Sequence, residues 1–158
     1  MSIQTYMLDT NIFNKFVDDQ ISIGNLPRHR LVVTGIQTDE LNATGKAERR
    51  ASLLAVFKEV DAVPLLASTF CFGIEGAGFG QATWNDGTGR FQEMLGKLKE
   101  IDHQNKKRKK PENQTRDSLI AETALKNDAI LVSDDVGLRQ LISEFGGRAI
   151  SLEEFLAQ

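Results

Sequence analysis

Apolar residues fall along this chain in two alternating rhythms. Short runs of strand length give way to longer stretches in which apolar positions recur every three or four residues. The first run, residues 3–8, ends in Tyr6, Met7 and Leu8 and reads as a buried strand. In residues 10–18, Ile12, Phe13, Phe16 and Val17 stand at helical spacing. Leu26 and Pro27 break the chain before a β-branched run at 31–34. Ile36, Glu40, Leu41 and Thr44 then trace one helix face, which Gly45 ends. Residues 46–60 predict an amphipathic helix with Ala51, Leu54, Ala55 and Phe57 near its centre. Val63, Pro64, Leu65 and Leu66 predict a short strand, and the proline places it at a sheet edge or a strand start.

The rhythm breaks between Ser68 and Gly89. Gly73, Gly76, Gly78, Gly80, Gly87 and Gly89 interrupt any regular element, and Phe70, Phe72, Phe79 and Trp84 are scattered among them. The stretch is too long for a routine connection. A helix resumes over 90–101, with Phe91, Met94, Leu95, Leu98 and Ile101 on one stripe. After a basic run and Pro111, residues 116–126 predict a helix that buries Ile120, Ala121, Ala124 and Leu125. A strand at 129–133, a helix at 136–145, the short run Ala149-Ile150 and a helical turn at 152–156 complete the series. Strands alternating with helices predict an α/β fold. The expected architecture is a three-layer α/β/α sandwich with a central, mainly parallel sheet covered on both faces.

Composition narrows this without redirecting it. A chain of 158 residues suits one domain spanning 1–158, with 68–111 as a glycine-rich and basic insertion or flap. A single cysteine, Cys71, excludes an internal disulfide and a cysteine-rich zinc site. It also fits a reducing compartment, so a cytoplasmic location is expected. No signal peptide is expected from the N-terminal residues, and no apolar run reaches the ~20 residues that span a bilayer. Net charge is −3, but Lys106, Lys107, Arg108, Lys109 and Lys110 carry five positive charges in a row. Setting these aside leaves −8 on the remainder. A local basic strip on an acidic body is either a solvated linker or a phosphate contact.

Four acidic residues carry the chemistry. Asp9 follows the first strand, Glu40 lies a few residues past the second, Asp117 opens the helical pattern at 117–125, and Asp135 closes the strand ending Val132-Ser133-Asp134. In an open α/β sheet the carboxyl ends of the strands face one crevice, where ligands bind. Carboxylates gathered there repel one another unless a hard cation lies between them. Each has a plainer reading. Asp9 and the Asp134-Asp135 pair could be helix caps, Asp117 could complement a helix N-terminus, and Glu40 competes with Asp39. Glu40 nevertheless shares a face with Ile36, and Asp117 lies on the stripe of Ile120 and Ala121, where an unpaired carboxylate is costly.

The segments Met7-Leu8-Asp9-Thr10-Asn11-Ile12-Phe13, Thr38-Asp39-Glu40-Leu41, Asp117-Ser118-Leu119-Ile120-Ala121-Glu122-Thr123-Ala124 and Leu131-Val132-Ser133-Asp134-Asp135 resemble a PIN domain, and within it the VapC-type toxin nucleases. The likeness covers roughly residues 3–17, 31–60 and 115–156, and the chain departs from the family over about 67–112. It implies a metal-dependent endoribonuclease with Asp9, Glu40, Asp117 and Asp135 as catalytic and metal-binding acids. The family's hydroxyl-any-Asp pattern matches Ser133, Asp134 and Asp135, which puts Asp135 in the last acid position. Ser133, Asn11 and Asp134 are the supporting residues. The implied cofactor is Mg²⁺ or Mn²⁺, which favour oxygen ligands. The implied partners are single-stranded or structured RNA, an antitoxin protein and a second copy of the chain. Lys106, Lys107, Arg108, Lys109 and Lys110 would contact nucleic acid, with Phe72, Phe79 and Trp84 as faces for base stacking. His29 and His103 are expected to be bystanders. A phosphatase of the haloacid dehalogenase type would need a second acid where Asn11 stands. A catalytically inactive RNA- or protein-binding module of the same fold remains the alternative.

Overall fold

The computed structural model describes residues 3–69, 71, 73–78 and 87–158. Phe70, Phe72, Phe79 and Trp84 lie outside the described residues, and with them the base-stacking expectation. Among the described residues the strands are β1 (Thr5–Leu8), β2 (Arg30–Thr34), β3 (Val63–Leu65), β4 (Ile130–Val132) and β5 (Ala149–Ile150). The helices are α1 (Thr10–Asp18), α2 (Gly35–Asn42), α3 (Ala47–Val60), α4 (Arg90–Gln104), α5 (Pro111–Lys126), α6 (Val136–Glu144) and α7 (Leu152–Leu156).

The strands form one parallel sheet in the order β3-β2-β1-β4-β5. Alternate side chains of each strand enter opposite cores. Met7, Val32 and Leu131 meet Met94, Leu98 and Ile101 of α4, Ile120 and Ala124 of α5, and Leu138 of α6. Tyr6, Leu8, Val33, Ile130 and Val132 meet Phe13 and Phe16 of α1, Leu53 of α3 and Phe155 of α7. This is the expected three-layer arrangement. Burial on both faces is why the strands read as unbroken apolar runs and not as alternating ones. Pro64 sits in β3 at the sheet edge, where its missing N–H costs no ladder bond.

Three expectations change. In α3 the inward residue is Leu53, while Ala51 and Ala55 are exposed. Helix α4, which falls in the stretch read as an insertion, buries its stripe in the core. Helix α5 begins at Pro111 and not near 116, because proline at the first helical position has no N–H to lose and a φ already set for the helix. Asp117 therefore lies in the second turn of α5 and does not open it.

Segment 73–78 packs closely on the start of α2. Gly76 has φ +85°, and a Cβ there would stand 2.4 Å from the Ile36 nitrogen. Only glycine allows both the left-handed backbone and that approach. No helix among the described residues is long and apolar enough to cross a membrane.

Candidate active site

The chain runs from β1 outward through β2 to β3 on one side of the sheet, and through β4 to β5 on the other. The crevice at the carboxyl ends of β1 and β4 is thus the switch point of the topology, where flanking helices diverge and leave an opening. A cavity of about 310 Å³ lies here, and Asp9, Glu40, Asp117 and Asp135 all line it.

Each acid arrives by a different local device. Asp9 extends the β1–β4 ladder by one bond, its N–H donating to the Val132 carbonyl at 3.0 Å. It also caps α1, with Oδ1 accepting from the Thr10 N–H at 2.8 Å. Its other oxygen accepts from the Ser133 hydroxyl at 2.7 Å. That hydroxyl in turn accepts from the Asp135 N–H at 3.1 Å and the Asn11 amide at 3.4 Å. Ser133 therefore ties the ends of the two central strands together. Glu40 is placed by Gln37, one turn earlier in α2. The Gln37 side chain is fully buried and donates to the Leu8 carbonyl at 3.1 Å, while Thr34 and Gln37 form a capping box. Asp117 projects from α5, and Asp135 caps α6 by accepting from the Leu138 N–H at 3.1 Å.

Two lysines of the basic strip reach into this cluster. The Lys109 ammonium bridges Asp117 Oδ2 at 2.8 Å and Asp135 Oδ2 at 2.7 Å. The Lys107 ammonium meets Asp135 Oδ1 at 2.9 Å. Lys106, Arg108 and Lys110 are exposed. The strip is therefore neither a free linker nor a uniform patch. Lys109 is partly buried against two acids, and the exposed Lys107 folds back onto one of them.

The electrostatics set three of the acids apart from the fourth. Burial pushes the Asp9 carboxyl up to about 7, with the Asp117 charge adding to the effect. Burial also pushes Glu40 up to about 7, helped by Asp9 and Asp117. Its Oε1 is buried and makes no close hydrogen bond among the described residues, although the nearby Thr10 hydroxyl draws the carboxyl partway back down. Burial raises Asp117 as well, against the pull of Lys109. For Asp135 burial works in the same direction but loses to Lys109 and Lys107, which hold it well below the usual carboxylate range. Lys109 itself is raised: burial alone would lower it, but Asp117 and Asp135 outweigh that.

Among the described residues no three His, Cys, Asp or Glu side chains are gathered closely enough to hold a metal ion as they stand. The donor set nevertheless suits a hard cation. It consists of carboxylates, an orphaned buried Glu40 oxygen, and an acid pair already bridged by a positive charge.

Asp134 is not in this group. It accepts from the Leu152 N–H at 3.0 Å and pairs with Lys15 at 3.2 Å, in a separate cavity beside α7. His29 packs against Tyr6 with the rings tilted and their centroids 4.9 Å apart, and His103 is exposed on α4. Sequence reasoning missed Asn14, Asn113 and Arg116, which also line the acid cavity. Two of them carried a legible signal. Asn14 follows Thr10 by four residues and Asn113 precedes Asp117 by four, the spacing of one helix face. Arg116 also lines an adjoining cavity of about 220 Å³ with Asp39, Ala43 and Glu75.

No protein-family model and no curated protein matches the sequence. Solved structures do match in fold over nearly the whole chain. VapBC-1 from nontypeable Haemophilus influenzae is 20% identical, covering 94% of this chain and 98% of that one at a TM-score of 0.52. PAE2754 from Pyrobaculum aerophilum is 14% identical, covering 99% and 96% at 0.53. DNA-bound VapBC from Salmonella typhimurium is 16% identical, covering 95% and 98% at 0.51. At these identities the likeness shows a shared fold: the chain is folded as these solved structures are.

Proposed function

We propose that this chain is a divalent-metal-dependent endoribonuclease, the toxin of a toxin–antitoxin pair. The observation that carries the reading is the convergence of four carboxylates on one cavity at the topological switch point. The VapBC neighbours support an antitoxin partner and a dimer of this chain. The basic strip at the mouth of the cavity supports RNA, single-stranded or structured, as substrate.

Asp9, Glu40 and Asp117 would hold Mg²⁺ or Mn²⁺, with Asp135 beside them in the cavity and paired to Lys107 and Lys109. When bound, the ion supplies Lewis acidity: it neutralises the scissile phosphate, acidifies the attacking water and stabilises the leaving oxygen. The chain's own groups do the rest. A divalent charge beside Asp9 and Glu40 would return both to the ionised form that burial disfavours. Ser133 fixes Asp9 in one orientation by donating to it. Asn11, Asn14 and Asn113 offer neutral donors along the cavity wall, and Arg116 offers a charged one. The reaction is in-line hydrolysis that leaves a 3′-hydroxyl and a 5′-phosphate.

Incubation of labelled single-stranded RNA with Mn²⁺ tests this reading. Cleavage is expected for the wild type and is expected to be lost on adding EDTA or on Asp117→Asn. Equal cleavage by the wild type and the variant, or full activity in EDTA, would refute it. No cleavage by a folded, Mn²⁺-loaded wild type would point to the inactive binding module.

A further inference from the structure

The basic strip is clamped at both ends. After α4 the chain turns at Lys106, which has φ +55°, and the Lys107 N–H donates to the Asp102 carbonyl at 2.8 Å. Four residues later Pro111 starts α5, and the Lys110 carbonyl accepts from the N–H groups of Asn113 at 3.0 Å and Gln114 at 3.2 Å. The buried Asp102 side chain joins the two ends, accepting from the Gln114 amide at 3.0 Å. A strap this short and this tied cannot swing far from the cavity. Lys109, its deepest member, has a side chain only 19% exposed.

Both oxygens of Asp135 and one of Asp117 already face ammonium groups. What remains for a metal is the other side of the cavity: Asp9, Glu40 with its orphaned Oε1, and the second oxygen of Asp117. Charge counting agrees. Four ionised carboxylates bring four negative charges, while Lys107, Lys109 and Arg116 with one divalent ion already bring five positive ones. A second divalent ion would have to displace the lysines or overcharge the site.

Resting on the nuclease reading, we propose that Lys109 is the resident cation of the Asp117–Asp135 half of the site, so that the site takes one divalent ion and the Lys109 ammonium supplies the second positive charge against the substrate phosphate. Lys109 is then a catalytic residue in place of a second metal. Its clamped strap keeps that charge in position without a coordination sphere of its own. Arginine would preserve the charge, whereas methionine would preserve the stem and remove it.

The test counts ions with Mn²⁺ alone, by titration calorimetry or by electron paramagnetic resonance of free Mn²⁺. One ion per chain is expected for the wild type and for Lys109→Arg. Two are expected for Lys109→Met, the second vanishing when Asp135→Asn is added, a change that also relieves repulsion should the single variant fold poorly. Two ions on the wild type, or one ion bound by folded Lys109→Met with affinity unchanged within about twofold, would overturn the proposal while leaving the nuclease reading intact. One ion on a wild type that cleaves no RNA would overturn the nuclease reading while leaving the count. No ion at all would overturn both. The phosphate contact is read separately, on short single-stranded RNA in an Asp9→Asn background that leaves it uncut. There Lys109→Met is expected to reduce the log–log salt slope of binding by about 0.7, the value for one phosphate contact. An unchanged slope would refute that role.

Discussion

Metal-free protein should become less stable as pH rises from 5 to 8, and Asp9→Asn should make that fall shallower. The Asp9 carboxyl is 5% exposed and titrates at about 7 in the fold, against an ordinary value of 3.8. A group whose pKa is raised by folding stabilises the native state fully below its unfolded pKa, and that stability is lost as pH climbs through the folded one. The window therefore opens near pH 4 and closes near pH 7. Each pH unit is worth about 1.4 kcal/mol, so the loss at Asp9 between pH 5 and 7 is on the order of a few kcal/mol. Glu40, raised to about 7 chiefly by its own burial, and Asp117, also raised by burial, act in the same direction; because Asp9 contributes to the Glu40 shift, the losses add only in part. Asp135 lies outside the window, because its depressed value confers stability that fails only in acid.

The amide introduced by Asp9→Asn carries no charge to bury, but it cannot accept both the Thr10 N–H and the Ser133 hydroxyl as the carboxylate does. Losing one neutral hydrogen bond, the state of the protonated carboxyl at low pH, costs about 0.5–1.5 kcal/mol. In EDTA at pH 8 the variant should thus be the more stable of the two, and that advantage should shrink as pH falls to 5. Urea unfolding at the two pH values, followed by circular dichroism, measures this directly. A wild type whose stability is flat or rising from pH 5 to 8, or a variant whose fall is as steep, would refute the electrostatic picture of the site.

Two further predictions concern the same architecture. Mn²⁺ at a hundredfold excess over its Kd should stabilise the wild type by about 2.7 kcal/mol, visible as a rise in Tm, and the rise should vanish in the Asp9→Asn, Asp117→Asn double variant; a wild-type Tm indifferent to metal would argue for a purely structural role of these acids. Gly76→Ala should cost more than about 1 kcal/mol, because it demands both a left-handed alanine and displacement of the start of α2, the helix that carries Glu40; a Tm within error of wild type would contradict the close approach.

The periodicity of apolar positions was enough to place the strands and most helices. Two-sided burial leaves a run of Val, Ile and Leu, and one-sided burial leaves a helical stripe. Both are local patterns that survive without knowledge of what packs against them. The Asp-Thr-Asn and Ser-Asp-Asp segments were legible as acids at strand ends for the same reason, and the switch-point rule then brought Asp9 and Asp135 to one edge. Two kinds of feature were not legible. Pro111 reads as a breaker or as a starter depending on what the next turn does, so the first turn of α5 was missed and Asp117 was misplaced within its helix. The five-charge strip reads as one patch, because side-chain direction in an extended segment depends on where its ends are anchored. The left-handed turn at Lys106, the Asp102 tie and the Pro111 start fix those ends. Tertiary structure alone therefore decided that Lys107 and Lys109 enter the acid cluster while Lys106, Arg108 and Lys110 face water. It also turned Asp134 away from the cavity where its neighbour Asp135 lies, because adjacent residues at a strand end point to opposite sides and only the packing of α6 and α7 chooses between them.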